Sequence, residues 1–178
     1  ALAPPAASAT ASDWDENEHV KVRIVSAVDG VGDRDSIPLG LHFQLKPGWK
    51  IYWRSPGDAG FPPDPIWDGS ENLKDTKISW PAPTRFSILG LETLGYKNEV
   101  VLPFAAEVAQ PRQPLRLNSN IRYLACEEIC IPYQAKVALD VPAGPAQPGA
   151  FAHLIDSFAA RVPGAGDRHG LSVVKMVL

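Results

Sequence analysis

Apolar and polar side chains alternate with period two over much of this chain. Val20, Val22 and Ile24 share one face of a first run, with Lys21 and Arg23 on the other, and Leu39, Leu41, Phe43 and Leu45 repeat the pattern. Such alternation is the signature of half-buried β-strands. Trp49, Ile51 and Trp53 continue it beyond the Pro47-Gly48 pair, which predicts a hairpin over residues 39–54 with Tyr52 on the opposite face. Residues 55–69, rich in Pro and Gly, read as loop with at most a short edge strand around Ile66 and Trp67. Strands resume at residues 78–80, 99–106, 115–124 and 134–141. In the last two, Leu115, Leu117, Ile121 and Tyr123 share a face, as do Val137, Leu139 and Val141. About seven or eight short strands predict an all-β, immunoglobulin-like β-sandwich.

Three stretches break the pattern. Residues 1–18 are poor in large aliphatic side chains and read as a flexible leader. Phe151, Leu154, Ile155, Phe158 and Val162 fall at helical spacing between Pro148 and the Pro163-Gly164 stop, so one amphipathic helix is expected over 148–162, docked on the sandwich. Residues 19–165 then form the principal domain. Residues 166–178 form a linker, with 171–178 a further strand and the possible start of a following domain.

Composition narrows the functional classes. A formal net charge of -3, with Lys and Arg scattered singly, gives no basic stripe for nucleic acid. No apolar run approaches the roughly 20 residues needed to span a bilayer, so no direct membrane insertion by this stretch is expected. The Ala- and Pro-rich opening is like the segment that follows a cleaved export signal.

Cys126 and Cys130 are the two cysteines of the chain. On a straight strand they would stand about 13 Å apart, beyond the roughly 7 Å limit on Cα separation in a disulfide. If they are paired, Glu127, Glu128 and Ile129 must form a tight turn, and the bridge sits at a hairpin tip open to a partner's thiolate. Closing so short a loop contributes only about 2 kcal/mol by chain entropy, which favours exchange chemistry over a purely structural staple. An inert local disulfide and a metal site of two thiolates, for Cu(I) or as half of a zinc site, are the alternatives. His19, His42, His153 and His169 are dispersed and complete no ligand set. Glu127 and Glu128 read as a solvated turn or as local charge that raises a thiol pKa. Trp14, Trp49, Trp53, Trp67 and Trp80 read as packing residues.

Four segments, in order, carry a resemblance: residues 39–54 (LGLHFQLKPGWKIYWR), 78–81 (ISWP), 92–103 (ETLGYKNEVVLP) and 121–132 (IRYLACEEICIP). Together they resemble the amino-terminal periplasmic domain of the DsbD family of thiol:disulfide interchange proteins, and within it the ScsB branch, named for suppression of copper sensitivity. The resemblance implies a periplasmic domain of an inner-membrane reductase, without cofactor. It would take electrons from a donor domain of the same reductase and pass them to oxidised thioredoxin-fold proteins. It further implies that Cys130 forms the mixed disulfide and Cys126 resolves it. Tyr52 takes the place of a site-lining tyrosine, and Phe86, Ser87, Ile88, Leu89, Gly90 and Leu91 take that of a cap loop over the cysteines. The chain departs from the best-known members in its shorter gap of three residues between the cysteines and in an apolar cap. Copper binding by the same cysteines and an inert sandwich are the rival functions.

Overall fold

A computed structural model describes residues 10–88 and 90–164. Two antiparallel sheets face each other. The first has the order β1-β2-β3-β9-β6, built from β1 (Asp15–Glu16), β2 (Val20–Ser26), β3 (Ser36–Leu45), β9 (Glu99–Val108) and β6 (Leu73–Ile78). The second has the order β11-β10-β4-β8-β7, built from β11 (Cys130–Val141), β10 (Leu115–Cys126), β4 (Lys50–Gly57), β8 (Leu91–Lys97) and β7 (Thr84–Ile88). A short β5 (Asp64–Ile66) pairs with β10 beside β4. The inner faces are the alternating sets read from the sequence: Val22, Ile24, Leu39, Leu41 and Phe43 meet Leu115, Leu117, Ile121 and Tyr123, all buried. This is the expected immunoglobulin-like sandwich.

The expected hairpin over residues 39–54 does not form. Both edges of β3 are occupied, by β2 and β9, while β4 pairs with β10 and β8 in the opposite sheet. The Pro47-Gly48 corner is a crossing between sheets. Lys46 N–H donates to the His19 carbonyl at 2.9 Å, and buried Trp49 stacks on the His19 ring at 3.7 Å, which turns the chain across. The 92–103 segment divides in the same way at Asn98 (φ 63), β8 going to one sheet and β9 to the other.

Residues 10–18, the described part of the expected leader, are held rather than loose. Asp15 and Glu16 pair with Val22 and Lys21, and Ala11 bridges Val25. Trp14 supplies the apolar contact that the low aliphatic content concealed: its ring lies 4.1 Å from the Arg23 guanidinium and 4.9 Å from the His42 ring. Buried His42 accepts from Arg23 Nε at Nδ1 (3.3 Å), which leaves Nε2–H to donate to Glu99 at 2.7 Å.

The helix is shorter than its periodicity. α1 spans Ala152–Ala159 and buries Ile155 and Phe158 on β9, whereas Pro148 and Gly149 are drawn into bonds with Val28 and Ala27. Gly40 makes room for it: a Cβ there would lie 2.4 Å from Val101 and 3.4 Å from Ile155. The strand expected over 171–178 lies outside the described residues. No helix among the described residues is long and apolar enough to cross a membrane.

Candidate functional site

β10 and β11 form one long hairpin whose register runs from Leu115 opposite Val141 to Cys126 opposite Cys130. Three residues, Glu127, Glu128 and Ile129, close it, with Glu127 N–H donating to the Ile129 carbonyl at 3.1 Å. The cysteines are thus directly cross-strand, Cα atoms 4.1 Å apart, and joined in a disulfide. That spacing belongs to the narrower of the two kinds of antiparallel pair. The turn solves the reach problem posed by a separation of four residues.

The two sulfurs sit in different surroundings. Cys126 is fully buried, while Cys130 is exposed at the start of β11. Cys126 also faces away from the main core. Along β4 the buried neighbours Ile51 and Tyr52 point to opposite sides, Ile51 into the sandwich and Tyr52 into a small second cluster with Ile88 and Cys126, bordered by Phe86 and Leu124. The Tyr52 hydroxyl lies 3.0 Å from Cys126 Sγ and 3.6 Å from Cys130 Sγ. A disulfide sulfur carries no hydrogen, so the hydroxyl is the donor. Burial pushes the Tyr52 pKa above its ordinary value, which keeps that proton in place.

The cap region is not a loop but a hairpin, β7 turning into β8 at Gly90 (φ 81). The glycine supplies the left-handed residue that so tight a reversal requires. Alternation along β7 then decides which side chains cover the disulfide. Ile88 is buried against Tyr52, and half-buried Phe86 sits 6.1 Å from the Tyr52 ring. Ser87, Gly90 and Leu91 face outward, Leu91 being 43% exposed, so the expected cover by Leu91 is absent. Leu89 lies outside the described residues.

Glu127 and Glu128 are exposed in the turn. The Glu127 carboxylate is folded against Gly48, where a Cβ would lie 2.1 Å from its Oε1. Lys50, in register with Cys126, donates from Nζ to the Gly48 carbonyl at 2.9 Å and lies 5.5 Å from the centre of the Phe86 ring. The large apolar side chains exposed among the described residues are Phe61, Leu91 and Ile129: Ile129 lies in the turn between the cysteines, Leu91 opens β8 after Gly90, and Phe61 follows Gly60, which packs on the Tyr52 ring.

The structure therefore brings together Cys126, Cys130, Tyr52, Phe86 and Ile88. Lys50 and Leu124 join them without having been singled out from the sequence, although their places beside the Tyr52 and Cys126 motifs were a signal. Among the described residues no group of three or more His, Cys, Asp or Glu side chains is placed to hold a metal ion.

Comparison with known proteins places these features in a family context. The family model for the amino-terminal domain of the thiol:disulfide interchange protein DsbD matches residues 16–142. Among solved structures, the N-terminal periplasmic domain of ScsB from Proteus mirabilis is similar at 30% identity, with a TM-score of 0.69. The match covers 86% of this chain and 60% of that one, so the chain spans less than two thirds of that ScsB domain. The reduced DsbD amino-terminal domain of Neisseria meningitidis matches at 18% identity over 72% of this chain and 86% of that one, with a TM-score of 0.38. No curated protein matches.

Proposed function

The chain belongs to the family of DsbD amino-terminal domains, which act in thiol-disulfide exchange, and from that premise we propose that it is the periplasmic electron-transfer domain of a membrane-embedded protein-disulfide reductase. In the loading step a donor thiolate attacks exposed Cys130 Sγ. The Cys126–Cys130 bond breaks, a donor–Cys130 disulfide forms, and Cys126 leaves as a thiolate beside the Tyr52 hydroxyl. A second donor thiol then displaces Cys130, so the donor leaves oxidised and the pair has gained two electrons. In the delivery step the Cys130 thiolate attacks the client's disulfide. Cys126 then attacks Cys130 in that mixed disulfide, restoring the original bond and releasing the client as a dithiol. The clients are oxidised thioredoxin-fold proteins, and the donor is another domain of the same reductase.

The observation that carries this reading is the asymmetry of the pair. The exposed cysteine and the buried one, the latter 3.0 Å from a fixed hydrogen-bond donor, are the two ends of one cross-strand bond. A donor placed at the leaving sulfur stabilises charge where it develops. Phe86 and Ile88 act as the cap, and the apolar Phe61, Leu91 and Ile129 provide contact area for a docked partner. The test is to trap the intermediate. Cys126→Ser, mixed with an oxidised thioredoxin-fold protein, accumulates a mixed disulfide through Cys130, and the wild-type pair titrates between about -180 and -270 mV. Absence of any adduct, with a potential below about -300 mV, overturns the proposal in favour of an inert disulfide.

A further inference from the structure

Tyr52 lies between two backbone segments, of which β7 is only one. The other is the connection from β4 to β5, where Gly60 (φ 97) presses against the phenol. A Cβ at Gly60 would come within 2.4 Å of Cε1 and Cζ and 2.6 Å of Cε2 of Tyr52, so no larger residue permits this approach. The connection is also fastened to the hairpin that carries Phe86 and Ile88. Asp58 N–H donates to the Glu92 carbonyl at 3.1 Å, and Glu92 N–H donates back to Asp58 Oδ2 at 3.1 Å. Next to this clasp Gly57 pairs with Thr93, so closely that a Cβ at Gly57 would lie 2.5 Å from the Glu92 carbonyl oxygen. Buried Thr93 in turn donates its hydroxyl to the Phe86 carbonyl at 2.9 Å. A continuous set of bonds thus joins residues 57–58 through β8 to β7, linking the two segments that lie against Tyr52.

We infer that residues 57–61 form a second cover over the buried half of the disulfide, clasped to the β7–β8 cover through Asp58 and Glu92, so that access to Cys126 Sγ requires the clasp to open. The inference rests on the reading of Cys126–Cys130 as an exchange site. Asp58 and Gly60 touch neither sulfur and act as positioning residues. The clasp consists of hydrogen bonds between exposed residues, Asp58 just beyond β4 and Glu92 near the start of β8, and such bonds open at small free-energy cost compared with the core. Its loss leaves the sandwich itself intact.

The experiment uses the 178-residue chain in a Cys130→Ser background, with the rate of alkylation of Cys126 as the readout. Asp58→Ala removes the acceptor for Glu92 N–H and is expected to raise that rate about fivefold, the factor for one ordinary hydrogen bond. Asp58→Asn retains a side-chain oxygen and stays within about twofold of the parent. Gly60→Ala forces the segment off the Tyr52 ring and is expected to raise the rate at least as much as Asp58→Ala. Urea midpoints check that each variant remains folded, and exposed Asp58 provides the variant that keeps its fold if Gly60→Ala does not. An alkylation rate for Asp58→Ala equal to that of the parent overturns the second cover and leaves the exchange reading standing. A wild-type pair that does not exchange with a thioredoxin-fold protein overturns the exchange reading, while the Cys126 alkylation rates still decide the cover.

Discussion

Reducing the Cys126–Cys130 bond is expected to lower stability only slightly. The bridge joins residues four apart in sequence, so it closes a loop of about five residues. The chain-entropy relation gives such a loop about 2 kcal/mol. For a chain of this size that corresponds to a fall in Tm of about 4–8 °C. The rest of the β10–β11 ladder, from Ala125 opposite Ile131 to Leu115 opposite Val141, is untouched, and β10 keeps its pairing with β4 and β5. The assay is thermal and urea unfolding followed by tryptophan fluorescence, with the protein fully oxidised or held in excess reductant, thiol content being checked by alkylation. Two cooperative transitions with equal slopes in urea and a difference of about 2 kcal/mol are expected. A reduced chain that is unfolded at 25 °C, or that loses more than about 5 kcal/mol, refutes the reasoning, because losses at the top of the range mark a structural disulfide. The exchange proposal falls with it, since a domain that unfolds on receiving electrons cannot present Cys130 to a client.

Tyr52→Phe keeps the ring but removes the donor 3.0 Å from Cys126 Sγ, and is expected to slow reduction by dithiothreitol about tenfold; an equal or faster rate in stopped-flow alkylation assays removes Tyr52 from the mechanism. Desolvation chiefly holds the His42 pKa below 6.5, so the unfolded chain takes up a proton that the native chain refuses, and stability falls as pH drops below about 6.5. The Glu99 pKa is lowered mainly by its bond to His42, so its contribution is lost as pH falls through and below 4.5; His42→Gln flattens the pH 7 to 5.5 region of a urea-midpoint profile, and a wild-type profile already flat there contradicts the assignment. Gly95→Ala places a Cβ 2.1 Å from the Ile51 carbonyl oxygen and pries β8 from β4, with an expected loss of more than about 2 kcal/mol; a urea midpoint equal to wild type counts against that close contact.

The inward faces of β10 and β11 were legible because each strand has one buried side over most of its length, and Leu115, Leu117, Ile121 and Tyr123 kept the strict alternation that this imposes. β3 is buried on both sides, yet its inward set stood out because the outer positions Gly40 and His42 are not large apolar residues. Alternation failed where large apolar residues fill both sides. Ile51 and Tyr52 are consecutive buried residues, as are Ala125 and Cys126, because the second cluster lies on the outer face of the sheet. A period-two reading assigns that face to solvent. The sheet to which β4 belongs was hidden for another reason. The 39–54 pattern is the same whether Pro47-Gly48 turns within one sheet or crosses to the other, and occupation of both edges of β3 by distant partners decides the outcome. The cap fell on a hairpin because Gly90 lies between two short apolar runs, a signal outweighed by the resemblance to a loop. The clasp between Asp58 and Glu92 joins residues 34 apart and leaves no local pattern.

The segment around Asp15 has a consequence for the protein in crowded solution. β1 lies along the outer edge of β2, and the Asp15 carboxylate accepts the Lys136 N–H on the outer edge of β11, at 2.9 Å. One short stretch thereby shields the margins of both sheets on the same side of the sandwich. Bare margins of this kind offer rows of unpaired amides and carbonyls that recruit strands from other molecules. Removing residues 10–18 would leave most of the interior packing in place, yet the shortened domain would be prone to stack edge to edge into aggregates.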